Sequence, residues 1–116
     1  MELIALLSTG QNTWAQVSGL MKHAEWDKVF ILGDEFAKKF THEKEFEFIK
    51  VDLSKNLTDL KEELSKKLQG KFQGMEVGLS IASGSGKEHM ALMSALINLP
   101  VGIRFAALTK DGVVDL

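Results

Sequence analysis

The sequence predicts an α/β domain in which a mostly parallel sheet carries helices on both faces. Three observations predict it. Short, nearly continuous apolar runs recur along the chain, as strands buried on both faces require. Stretches with apolar residues at helical spacing alternate with them, and that alternation implies parallel neighbours. Near the end, Asp111-Gly112 carries a hairpin turn signal, so the last strand returns antiparallel. Right-handed crossovers then favour the strand order 3-2-1-4-5-6.

Each element has its own warrant. Glu2 to Leu7 is the first buried-type strand, and Ser8-Thr9-Gly10-Gln11-Asn12 breaks it. Thr13 to His23 reads as a helix with Trp14, Val17, Leu20 and Met21 on one face; Thr13 and Gln16 have the spacing of a capping box. Lys28 to Leu32 is the second strand, ended by Gly33-Asp34, and Glu35 to Phe40 reads as a short helix with Phe36, Ala37 and Phe40 on one face. Phe46 to Leu53 alternates like a strand near a sheet edge. Ser54 to Leu68 is the clearest helix, its stripe being Leu57, Leu60, Leu64 and Leu68. Glu76 to Ala82 is the fourth strand. Glu88 to Leu99 is a helix apolar around much of its circumference, which predicts a largely buried one, and Pro100 stops it. Val101 to Leu108 and Val113 to Leu116 complete the sheet.

Composition bounds the function. One domain fits 116 residues, and 45% hydrophobic residues exclude a disordered chain. The absence of cysteine excludes a disulfide framework, a thiolate zinc site and a cysteine nucleophile. A net charge of −2 argues against broad adhesion to duplex nucleic acid or an anionic membrane. No signal peptide or spanning segment is visible, so the expected location is cytoplasmic. Thirteen lysines and ten glutamates against three asparagines and four glutamines lean towards a thermophile.

The predicted topology locates the chemistry. In a sheet of this order the chain changes winding direction between strands 1 and 4, and loops leaving their carboxyl ends open a crevice where ligands bind. Those loops are Ser8-Thr9-Gly10-Gln11-Asn12 and Ser83-Gly84-Ser85-Gly86-Lys87. Each runs into a helix N-terminus, where free N–H groups and the positive dipole end favour an anion. Glycine admits close backbone approach, the hydroxyls donate, and Lys87 adds charge. The set suits a phosphate or phosphodiester. It is not a P-loop, because Ile81 and Glu88 stand where glycine and Ser/Thr are needed. It is not a dinucleotide motif either, because His89 stands at the third glycine and Glu88 would repel a pyrophosphate. No cofactor is therefore assigned.

The plain alternative is structural: turn glycines, a capping box at Ser85 and Glu88, and a solvated Lys87. His89 reads as a plain helical histidine or as an acid or base facing the crevice, His23 and His42 as partners of helix-end carbonyls, and Trp14 as a core or interface residue or as a ring that stacks on a base. Met90, Met93, Leu92, Leu96 and Ile97 read as core or dimer packing, and Arg104 as the partner of a carboxylate. No histidine pair has metal-ligand spacing, so no metal is expected.

The arrangement resembles the CARF domain, the CRISPR-associated Rossmann-fold domain. The likeness lies in Ser8-Thr9-Gly10 after strand 1, in Ser83-Gly84-Ser85-Gly86-Lys87 after strand 4, and in the terminal hairpin. It implies a Rossmann-like three-layer sandwich, a homodimer, and a cyclic oligoadenylate or other nucleotide bound across the two-fold axis. Some members cleave the ring without metal, a ribose 2′-hydroxyl attacking the neighbouring phosphate. Ser8, Thr9 and Lys87 match the positions that would orient the hydroxyl and stabilise the charge. The chain departs from the family in lacking room for the usual second domain. Three functions stay open: a binding module, a ring nuclease, and an interaction subunit with no ligand.

Overall fold

The computed structural model describes residues 1–8 and 13–116. Strands β1 (Glu2–Leu7), β2 (Val29–Gly33), β3 (Glu47–Lys50), β4 (Glu76–Ser80), β5 (Gly102–Thr109) and β6 (Gly112–Asp115) form one sheet in the order β3-β2-β1-β4-β5-β6. The first five are parallel and β6 pairs antiparallel with β5. Helices α1 (Trp14–His23), α2 (Leu57–Leu68) and α3 (Gly86–Ile97) follow β1, β3 and β4, and a 3-10 turn at Phe36–Lys39 joins β2 to β3.

Period-two alternation of β1 builds two cores from one strand. Ile4 and Leu6 pack with Leu60 and Leu64 of α2 and Leu92 and Ala95 of α3. Leu3, Ala5 and Leu7 pack with Val17, Leu20 and Met21 of α1. Helices therefore cover both faces of the sheet. Each fully buried Leu or Ile contributes about 1.5–3 kcal/mol of transfer free energy, so the central strands anchor everything built at their ends.

Several local expectations are corrected. Thr13 has helical dihedrals and its side chain makes no capping hydrogen bond, so the Thr13–Gln16 capping box does not form; an N-cap hydroxyl needs extended backbone to reach the first turn. Helix α2 starts at Leu57 rather than Ser54, because the Asn56 side chain accepts the Asp59 N–H and caps it there. Leu57 is consequently at the helix mouth and 37% exposed, leaving Leu60, Leu64 and Leu68 as the stripe. The Glu35–Phe40 segment forms one 3-10 turn, which buries Ala37 and Phe40 but leaves Phe36 exposed against Trp14 and Lys39. Strand β3 ends at Lys50 and β4 at Ser80, shorter than their apolar runs.

The Ser85–Glu88 capping box forms, and it starts α3 at Gly86 instead of Glu88. Only one side of α3 is buried: Ala91, Leu92, Ala95 and Leu96 face the core, while Met90 is 58% and Ile97 69% exposed. The Asp-Gly hairpin also forms. Lys110 and Asp111 keep negative φ, and Gly112 alone takes φ +105°, so the turn is closed by the glycine rather than by a left-handed Asp111.

Candidate functional site

Strands β1 and β4 are adjacent, with Ala5 opposite Ser80, so the loops after them leave the same end of the sheet side by side. Ser8 is the first residue past β1, and its backbone N–H donates to Ser83 Oγ at 3.0 Å. Ser83 is fully buried. The Trp14 indole donates to the Ser8 carbonyl at 2.9 Å, tying the start of α1 to the end of β1. The remaining members of the first loop, Thr9, Gly10, Gln11 and Asn12, lie outside the described residues.

The second loop owes its course to Gly84. It has φ +114°, a region that side-chain-bearing residues rarely adopt. A Cβ there would also lie 2.5 Å from Leu6 Cδ2 and 3.0 Å from both Glu88 Oε1 and His89 Nε2. Ser85 then caps α3, its hydroxyl accepting the Glu88 N–H while the Glu88 carboxylate accepts the Ser85 N–H at 2.8 Å. A Cβ added at Gly86 would meet nothing within 4 Å.

Glu88 is only 7% exposed, and its second carboxylate oxygen is 3.5 Å from Ser8 Oγ. A carboxylate thus sits at the positive end of α3, where its charge and the dipole offset one another. His89 Nε2 lies 2.8 Å from the Ser83 carbonyl, so that nitrogen carries the proton. The Lys87 ammonium donates to the carbonyls of Leu53 at 3.0 Å and Lys55 at 2.8 Å. It fastens the loop after β3 to the start of α3. In that loop, the Ser54 hydroxyl and N–H hold the Asp52 carboxyl below its usual range. Among the described residues, no group of three histidines or acids could hold a metal ion.

A groove of about 410 Å³ lies near the junction, between the first turn of α1, the carboxyl end of β4 and the middle of β5. Ile81, Phe105, Ala107 and Leu116 are among its apolar lining residues, and Gln16 also lines it. Two larger hollows, of about 620 and 630 Å³, lie at the opposite end of the sheet among residues of mixed charge such as Lys28, Glu47 and Asp27.

The junction of Ser8 with Ser83 was legible from strand order. Glu88 reaching Ser8 was not, because the capping box explains a glutamate there without it. Gln16 carried only a capping reading, and nothing local marks the carbonyls that Lys87 finds. No protein-family model, curated protein or solved structure matches the chain.

Proposed function

We propose that the chain is a Rossmann-like nucleotide-binding module, acting as a homodimer, whose ligand is a cyclic oligoadenylate held where β1 and β4 diverge. The supporting observation is the Ser8 N–H to Ser83 Oγ bond, which ties the residue that follows β1 to the first residue of the Ser83–Lys87 loop, at the position where open α/β sheets bind ligands. Ser8, Thr9, Gly10, Gln11 and Asn12 on one side and Ser83, Gly84, Ser85, Gly86 and Lys87 on the other are the proposed ligand contacts, in the manner of the CARF domains that the sequence resembles.

The Lys87 ammonium is held by two carbonyls of the loop after β3, so touching a ligand phosphate, whether to bind it or to stabilise charge during ring cleavage, would require it to give up part of that engagement. The outward side of α3 supports a second copy: no Asp, Glu, Lys or Arg occurs from His89 to Ile103, and Met90 and Ile97 are exposed there. A neutral surface can meet itself across a two-fold axis without like-charge repulsion.

Incubating labelled cyclic tetra-adenylate with the protein and EDTA tests the proposal. Retention of intact ligand, with sedimentation at dimer mass, is expected. Linear products that disappear in Lys87→Ala would make the protein a ring nuclease. Failure to bind any nucleotide would leave an interaction subunit.

A further inference from the structure

We infer that His42 latches the loop between the 3-10 turn and β3 to α1, and that the latch opens when its ring takes up a second proton. The inference goes beyond the nucleotide reading and does not depend on it, because no residue of the junction takes part. His42 Nε2 lies 3.1 Å from the Ser18 carbonyl of α1, and the Lys44 N–H donates to His42 Nδ1 at 3.0 Å. A backbone N–H can only donate, and a carbonyl can only accept. The ring is therefore the neutral tautomer with its proton on Nε2. An imidazolium carries a proton on both nitrogens. Its Nδ1–H would point at the Lys44 N–H, so that bond cannot survive protonation.

The latch holds more than one bond. The Lys44 ammonium lies 3.4 Å from the carbonyls of both Lys22 and Ala24, in the last turn of α1 and at its C-cap. The His42 ring stacks on Phe40, which is buried and packs edge-on against Phe46. Phe40 and Phe46 thus pin the two ends of the loop, and the irregular chain between them is held to α1 through His42 and Lys44. Lys44, Glu45 and Phe46 also line the hollow of about 620 Å³ beside Trp26 and Lys28, so the latch fixes one wall of that hollow. The charged groups on the elements around the ring are Lys22 and His23 of α1, Lys39 of the 3-10 turn, Glu43, Lys44 and Glu45 of the loop, and Glu47 of β3, which is paired with Lys28 and Lys71. Among the described residues no carboxylate pairs with the ring itself, so an added positive charge gains no partner to offset the lost bond.

Hydrogen exchange of the Lys44 amide tests the latch. Its protection, taken relative to the intrinsic rate of the unfolded chain at each pH, should fall about tenfold between about pH 8 and about pH 5, the range in which histidines titrate, while β1 and β4 keep theirs. Nitrogen NMR of the imidazole over the same range should show the Nε2–H tautomer giving way to the charged ring. His42→Asn presents an acceptor to the N–H two residues on and takes no proton in this range, so its Lys44 protection should not change with pH. If His42→Asn does not fold, the imidazole spectrum of the parent still decides. A ring that becomes charged while Lys44 stays protected would overturn the latch. A proton on Nδ1 at the alkaline end, or a ring still neutral at the acid end, would do the same. So would an equal loss of protection in β1 and β4, which marks global unfolding, and so would a pH-dependent loss in folded His42→Asn.

Discussion

The amide of Ser8 and the hydroxyl of Ser83 are 75 residues apart in sequence and 3.0 Å apart in space. One buried hydrogen bond thereby couples the end of β1 to the start of the loop before α3. A buried N–H must be paired, and the β-ladder no longer serves Ser8 once β1 has ended at Leu7. Ser83 supplies the acceptor that the ladder does not.

Ser83→Ala should therefore destabilise the protein by about 1–3 kcal/mol, the penalty for an orphaned buried donor. Ser8→Ala retains the backbone N–H and loses only the long contact with Glu88, so it should cost less. Urea unfolding of both variants checks the order, and a larger loss in Ser8→Ala would contradict it.

The two glycines of the second loop should respond in opposite directions. Gly84→Ala meets both a positive φ and a 2.5 Å clash with Leu6, so a loss of more than about 1 kcal/mol is expected. Gly86 opens α3 with nothing within 4 Å of an added Cβ and no positive φ. Gly86→Ala should gain about 0.4–1 kcal/mol by restricting the unfolded chain. Thermal unfolding of the pair decides, and equal effects would deny the distinction.

What the sequence disclosed and what it withheld follow from the range of each interaction. Strand order was legible because alternation of apolar runs and crossover handedness constrain it through the whole chain. The capping box at Ser85 was legible because it closes over three residues. The same pattern at Thr13 misled, since the backbone there is helical rather than extended. Leu57 and Met90 show the limit of periodicity: it finds a helix face, but the partner that covers each turn belongs to the tertiary fold. Lys87 shows the limit of composition, because a lysine's partner is whatever its four-carbon stem reaches, here the carbonyls of Leu53 and Lys55.

Lys87 acts as a fastener for the loop after β3. Lys87→Met keeps the stem and removes both hydrogen bonds. Lys87 is exposed, so global stability should change by no more than about 1 kcal/mol. The local consequence should be larger. Amide exchange should accelerate at residues 53–56 and stay unchanged in β1 and β4. Uniform acceleration across the sheet, or none in the loop, would refute the fastening role.

Glu63 of α2 makes stability depend on acid. Burial, the largest influence on its carboxyl, pushes the pKa up, but the ammonium groups of Lys55 at 2.9 Å and Lys67 at 3.0 Å, with the hydrogen bond from the Asp52 N–H, together hold it below the usual range. A carboxyl with a lowered folded pKa adds stability that is fully present above the unfolded value of about 4.3. That stability is lost as pH falls through the folded value, because the unfolded chain binds the proton first. Glu63→Gln keeps an acceptor for Asp52 and removes the charge. The variant should be less stable than the parent by about 1 kcal/mol or less near pH 7, both lysines being partly exposed. The gap should close as pH falls from about 5 to 3, since the parent then loses the same charge. Urea midpoints measured across that window check the sign, and a gap that stays constant would show that the Glu63 carboxylate is not held ionised by its lysines.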